Sequence, residues 1–174
     1  MKHSTPSTID VTAVLNRVRE MLDNEQVENA FKVLANCGHS SPAIENARGV
    51  CLLRLGRLDA AMKVFRDLVF PGGAFSIPHE TPTIFRANYV TTFLLLGNLV
   101  VGMQLLREIP EKRHPLVQQL KTAVRRWKQS LPWWRRMLLP IGFYPIKPLP
   151  LDFAPGAMWF PESMQGPRPV ERAA

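Results

Sequence analysis

The amino-acid sequence predicts an all-α protein with about three helical hairpins, a C-terminal capping helix and a proline- and aromatic-rich extended tail. Three observations lead to this prediction. Apolar residues recur every three or four positions from residue 11 to about 130, as in amphipathic helices. Short turns interrupt that periodicity at Glu25, Gly56 and Gly97. Proline becomes frequent after Leu131, and eight of the sixteen prolines lie between residues 140 and 169, where they favour extended backbone.

The predicted elements follow in order along the chain. Residues 1–10 form a polar, flexible leader, and Asp10 can cap the first helix because its short side chain accepts from free backbone N–H groups. Apolar spacing predicts that this helix runs from Val11 to Leu22 and that a second follows around Val27 to Leu34. The remaining predicted helices cover 43–55, 58–70, 83–96, 98–108 and 115–130, with a long loop at 70–82.

The three hairpins repeat a pattern of small and large residues. Five positions after each turn stands a small residue, and four positions further stands a large apolar one. Antiparallel helices joined by a tight turn need small residues where their backbones approach. In the middle hairpin we expect Gly49 and Ala61 to allow this approach and Phe65 to fill the gap beside them. The repeated residues are Ala30, Ala61 and Gly102, followed by Leu34, Phe65 and Leu106.

At Gly49, Gly56, Ala61 and Phe65 the chain resembles the tetratricopeptide repeat (TPR) family. These residues match the family's small eighth and fifteenth positions, its alanine at the twentieth and its aromatic residue at the twenty-fourth. The resemblance covers about residues 11–130 and is strongest in the middle hairpin, because the flanking hairpins carry valine at the eighth position. It implies a TPR-like stack in the domain 11–130 and a non-catalytic scaffold, adaptor or assembly factor that binds another protein.

The resemblance also implies a concave protein-binding groove lined by the first helix of each hairpin. Its mostly apolar character suits an amphipathic helix or an extended apolar peptide. The family's clamp for a C-terminal carboxylate is incomplete, because only Arg19, Asn46 and Arg54 could contribute to it. Alternatively, the chain's own seventh helix or tail buries the same surface. The predicted groove residues are Leu15, Arg19, Asn46, Val50, Leu53, Arg54, Ala87, Thr91 and Leu94.

The net charge of +8 is concentrated in one segment. Nine basic residues and no acidic residue lie between Lys112 and Leu151, whereas the rest of the chain is nearly neutral. This distribution predicts a local binding face within that segment, which includes the last predicted helix and the start of the amphipathic and Pro-rich region 131–174. The predicted basic and aromatic surface comprises Arg125, Arg126, Trp127, Trp133, Trp134, Arg135 and Arg136.

Three other interpretations of this segment and the hairpins stay open. The stretch "LPWWRRMLLPIGF" (131–143) could lie on a membrane surface as a peripheral contact, or its tryptophans could pack on the seventh helix or a partner. Residues 112–147 could bind nucleic acid through phosphate contacts and stacking, although no recognition module is visible. Residues 112–121 are similar to the last helix of small chaperones of bacterial secretion systems, from which the proline-rich tail departs.

Catalytic and cofactor motifs are not found in the sequence. It contains no GxGxxG, GxxxxGK[ST], HExxH or GxSxG pattern, and its four histidines lack ligand spacing. Cys37 and Cys51 have no CxxC spacing and are interpreted as reduced thiols. We therefore predict no enzyme activity, no cofactor and no metal. No apolar run approaches the roughly 18–20 residues of a membrane span, and no signal sequence is visible, so a cytoplasmic location is expected.

Overall fold

A computed structural model describes residues 11–145 and 147–161, and this part of the chain contains helices and no strand. The predicted leader 1–10 and the end of the tail beyond residue 161 lie outside the described residues. The all-α prediction is confirmed. The α-helices are α1 (Val11–Asp23), α2 (Val27–Ala35), α3 (Pro42–Arg54), α4 (Leu58–Val69), α5 (Thr83–Leu95), α6 (Leu99–Glu108), α7 (Pro115–Ser130) and α8 (Trp133–Leu138).

Three helix-to-helix turns share one geometry. Glu25, Gly56 and Gly97 have φ angles of 59°, 71° and 78°, in the left-handed region. The residue after each of them donates its N–H to the carbonyl five positions earlier, at 2.8, 2.9 and 3.0 Å. This pattern satisfies carbonyls at the helix end and reverses the chain. The turn positions expected from the sequence are therefore confirmed, and three hairpins follow: α1–α2, α3–α4 and α5–α6.

The close approach expected within the middle hairpin is also present. A Cβ atom built on Gly49 would lie only 2.6 Å from the Cζ atom of Phe65, which is itself fully buried. Any side chain at residue 49 would therefore collide with the Phe65 ring.

Ser41 determines where α3 begins, because its Oγ accepts a hydrogen bond from the N–H of Ile44 and Pro42 occupies the first turn.

The helices α1, α3 and α5, which open the three hairpins, are neighbours. α3 contacts both α1 and α5, while α5 also packs on α4, α6 and α7. Because so many elements surround it, α5 is buried from Phe85 to Thr92 without the alternation of a surface helix. Leu15, Val50 and Phe85 belong to one hydrophobic cluster and Val90 and Leu94 to a second, so α5 separates the two cores.

The seventh helix packs its apolar face on α5 and α6. Leu116, Leu120, Val124 and Trp127 on this face are all buried. Trp127 is therefore a core residue, and the prediction that it belongs to an exposed aromatic surface is wrong. The helical spacing of Trp127 with Leu120 and Val124 places it on the buried side of α7, away from the basic side chains.

Candidate functional site

The residues predicted to line a groove are covered by the chain's own C-terminal part. We call residues 147–161 the tail segment. It lies across α1, α3 and α5 and begins where the N–H of Leu149 donates to the carbonyl of Leu94, at 2.9 Å. Its other end reaches Phe85 on α5 and Arg19 on α1. The tail segment therefore runs antiparallel to α5.

Two buried asparagines hold the backbone of the tail segment at one residue. The Nδ2 atom of Asn88 donates to the carbonyl of Ala157 at 2.8 Å, and the N–H of Ala157 donates to Oδ1 of Asn88 at 2.9 Å. Asn46 adds a second donor to the same carbonyl at 3.1 Å. Asn88 also donates to Oδ1 of Asn46, at 2.8 Å. The backbone donor and the backbone acceptor of Ala157 are thereby both satisfied by side chains, as buried polar groups require.

Gly156 lies directly against α3. Its φ angle is +79°, and a Cβ atom built there would lie 3.1 Å from Leu53 and 3.2 Å from Val50. Beside it, Nε of Arg54 donates to the carbonyl of Pro155 at 3.4 Å, while Nη1 donates to the carbonyl of Leu22. Glycine thus meets both a left-handed backbone and a close approach at this position.

Two aromatic rings at the end of the tail segment contact the helices. Trp159 packs edge-on against Phe85, with ring centroids 5.1 Å apart. The guanidinium carbon of Arg19 lies 3.8 Å from the centroid of the Phe160 ring, a cation–π distance. Trp159 and Phe160 both remain partly exposed.

The structure brings most of the predicted groove residues together under this segment. Arg19, Asn46, Val50, Leu53, Arg54 and Leu94 contact it, whereas Leu15, Ala87 and Thr91 are buried within the helices. Sequence reasoning missed Asn88 and Phe85. Asn88 stands among the apolar residues Ala87, Tyr89 and Val90, which was a usable signal, since an unpaired buried amide is unfavourable.

A second surface is formed by residues 133–143, which we call the aromatic segment. Among the described residues, nine large apolar side chains are exposed, and six of them lie in this segment. Trp133 is 72% exposed and Ile141 is 70% exposed. The guanidinium of Arg135 lies over the ring of Trp134, at 5.0 Å from the centroid. The six side chains are those of Trp133, Trp134, Met137, Leu138, Ile141 and Phe143.

Cationic side chains surround a shallow depression of about 330 Å³ beside the aromatic segment. It is lined by Lys121, Arg125 and Lys128 of α7 and by Arg136 of α8, with no acidic residue among the lining residues. Arg126, also predicted for the basic surface, instead pairs with Asp152 of the tail segment. The depression therefore concentrates positive charge next to exposed apolar side chains.

A cavity of about 610 Å³ lies elsewhere, between the 70–82 loop, α5 and α6. Its buried Arg86 donates through Nη2 to the carbonyls of Pro78 and His79, at 3.0 Å each, and so holds the loop in place.

Away from this cavity, burial raises the pKa of the Cys51 thiol to about 11, so this thiol stays protonated at neutral pH. In residues 11–145 and 147–161, no group of three His, Cys, Asp or Glu side chains is placed to hold a metal ion.

Comparison of the chain with protein-family models, with curated proteins and with solved structures yields no match. None of the helices in the described ranges combines the length and the hydropathy needed to cross a bilayer.

Proposed function

We propose that this chain is a non-catalytic adaptor or assembly factor that binds another protein, and that the aromatic segment is its docking face. The observation that carries the proposal is the concentration of exposed large apolar side chains between Trp133 and Phe143. Monomeric proteins rarely expose contiguous apolar patches of this kind, and such patches mark interaction sites. The tail segment already covers the surface of α1, α3 and α5, and among the described residues the aromatic segment carries six of the nine exposed large apolar side chains.

The residue types of the aromatic segment fit a protein partner. Tryptophan, methionine and arginine are enriched at the centres of protein interfaces, whereas lysine and acidic residues are depleted there. The cationic depression beside it, which Arg136 shares, favours acidic groups on the partner. The expected partner surface is therefore apolar at its centre and acidic at one edge.

The repeated hairpin geometry supports the same class of function. The turns at Glu25, Gly56 and Gly97 are equivalent in backbone conformation, and the resemblance to the TPR family rests on the hairpin that contains Gly56. Stacked hairpins give a stiff support on which a short helix such as α8 is presented. The family resemblance implies an adaptor, and the present proposal assigns its docking face.

Quantitative affinity capture from the native host tests the proposal. The full chain is compared with a Trp133→Ala, Trp134→Ala double variant and with a Val100→Ala control, since Val100 is 48% exposed but lies on α6. We expect one stoichiometric protein partner that the double variant loses, by tenfold or more, and the control retains. Equal recovery by the double variant, or no stoichiometric partner, would contradict the proposal.

Peripheral membrane contact is the second candidate, because the exposed tryptophans lie among arginines. Tryptophan favours the membrane–water boundary, and arginine can reach lipid phosphates from an apolar layer. Residues 131–143 are long enough to lie on a bilayer but too short to cross one. Flotation with anionic vesicles at low salt decides the matter: flotation of the wild type but not of the folded double variant would replace the protein partner with a lipid surface.

A further inference from the structure

The tail segment is recognised mainly through its backbone. Asn88 donates to and accepts from the same residue, Ala157, and Asn46 donates to that residue as well. A side-chain amide that pairs with both the N–H and the C=O of one residue selects an extended strand-like backbone. This arrangement resembles the edge pairing by which extended peptides are bound, with side chains in place of a strand.

Asn46 and Asn88 form the surface under Ala157, which we call the polar floor, and their hydrogen bonds indicate a contact that can open. Both side chains are completely buried, and they hydrogen-bond to each other and to the tail segment. When the tail segment leaves, water can hydrogen-bond to the two amides, whereas an apolar floor would be exposed unfavourably.

Side chains on either side of Ala157 restrict which sequence fits. Gly156 is required by its positive φ and by the nearness of Leu53 and Val50. Two and three residues after Ala157, the rings of Trp159 and Phe160 meet Phe85 and Arg19. The site therefore selects an extended segment of the form Gly-Ala-X-Trp-Phe, in which X is a partly buried apolar residue, here Met158, that packs on the hydrophobic cluster of α1, α3 and α5.

The tail segment is joined to the helices mainly through side chains, with little regular backbone hydrogen bonding. Its described residues form no helix or strand, and the one backbone-to-backbone hydrogen bond seen between them and the helices is that of Leu149 with Leu94. Met158 and Trp159 are only partly buried. Segments with little regular hydrogen bonding between backbone groups open locally at low free energy.

We propose that the surface formed by α1, α3 and α5 is a peptide-binding site, distinct from the aromatic segment, which the tail segment occupies as an exchangeable ligand. Its external ligand is an extended segment of another protein with the Gly-Ala-X-Trp-Phe pattern. Binding in trans requires the tail segment to leave, so the chain's own ligand lowers the apparent affinity for the external one. A partner therefore binds only when its concentration is high enough to displace the tail segment.

A synthetic peptide with the sequence of residues 147–161 tests this proposal on the full chain. Trp159→Ala, Phe160→Ala weakens the tail without changing the floor, and Gly156→Val provides a second, independent way to displace it. Hydrogen exchange of the fragment covering 147–161 reports whether the tail has left, and circular dichroism checks that the helices are intact. We expect both variants to exchange faster there and to bind the labelled peptide at least tenfold more tightly than the wild type.

Modified peptides provide the matched controls. Methylation of the Ala157 nitrogen removes the donor to Asn88 and should abolish binding, whereas Asp152→Asn changes only an exposed ion pair with Arg126 and should leave binding unchanged. The proposal is overturned if the peptide fails to bind a variant whose tail has left, if the methylated peptide binds equally well, or if the tail stays protected in both variants. These outcomes do not depend on the aromatic segment, so the two proposals fail independently.

Discussion

The aromatic segment and the tail segment both follow α7 and both are rich in large apolar residues, but only the tail segment covers the helices. The aromatic segment contains one proline and the tail segment four. In the aromatic segment Trp133 is 72% exposed, whereas in the tail segment Leu149 is 1% exposed and Gly156 is buried. Apolar content therefore does not decide which of the two packs on the helices. The difference arises because the surface of α1, α3 and α5 supplies hydrogen-bonding and apolar contacts to the tail segment only.

The contacts at Ala157 explain why the tail segment is the one that docks. Backbone groups leaving water need partners, and Asn46 and Asn88 supply them at this point. The aromatic segment has no such backbone contact with other helices in the described part of the structure: α8 has no buried residue, Arg135 lies over Trp134, and Leu139 is the one buried side chain of the segment. A floor that satisfies backbone groups, more than apolar side chains, distinguishes the two segments.

Removing Asn88, which makes two of the three hydrogen bonds to Ala157, should give the largest effect. Asn88→Leu keeps the side-chain volume but leaves the N–H of Ala157 and Oδ1 of Asn46 without their partner, while the carbonyl of Ala157 keeps the hydrogen bond from Asn46. We expect a loss of about 3 kcal/mol in the free energy of unfolding, since each unsatisfied buried group costs about 1–3 kcal/mol. Urea unfolding measures this loss, and hydrogen exchange should show faster exchange in residues 147–161. A change below about 1 kcal/mol would mean that the asparagines do not hold the tail segment.

A matched pair of tryptophans sharpens the comparison. Trp159→Ala removes the ring that packs on Phe85, and we expect a loss of about 2 kcal/mol, less than the 3–5 kcal/mol of a fully buried aromatic residue. Trp134→Ala, in the exposed segment, should change stability by no more than about 0.5 kcal/mol. Thermal and urea unfolding of the two variants provide the measurement. Equal losses would show that the aromatic segment is also docked in solution.

A matched pair of glycines isolates the contribution of packing. Gly156 and Gly142 both have left-handed backbones, with φ of +79° and +91°. A Cβ atom at residue 156 would press on Leu53 and Val50, whereas at residue 142 it would meet nothing within 4 Å. We expect Gly142→Ala to cost about 1 kcal/mol for the backbone alone, and Gly156→Ala about 2 kcal/mol, measured by urea unfolding. Equal losses would contradict this expectation and show that the side chains of Leu53 and Val50 shift to accommodate the added methyl group.

Much of the helical part could be predicted because its signals are local. Spacing of apolar residues located the helices, and Gly56 and Gly97 marked turns that need a left-handed backbone. Glu25 was identified from the repeat, although its side chain is unfavourable at φ 59°. Even the contact between Gly49 and Phe65 followed from the repeated pattern of small and large residues. These features depend on neighbours in the chain or on one hairpin.

Less of the candidate site could be predicted, because its parts come from distant positions. Trp127 was assigned to the surface on the grounds of its basic neighbours, but its place on the apolar face of α7 buries it. Asn88 was overlooked because its importance depends on Ala157, 69 positions away. The sequence around an asparagine in a helix does not tell whether its side chain hydrogen-bonds to water or to the backbone of a distant residue.

The sequence by itself determined the all-α class, the three hairpin turns, the glycine–phenylalanine contact of the middle hairpin and the basic character of the segment after Lys112. Tertiary structure alone decided that residues 147–161 cover the surface of α1, α3 and α5 while most large apolar side chains of residues 133–143 remain exposed. The physical reason is that helix periodicity and turn hydrogen bonds act over a few residues, whereas docking requires that several helices converge. Only in the folded chain do Asn46 and Asn88, 42 positions apart, come within 2.8 Å and hold one backbone residue together.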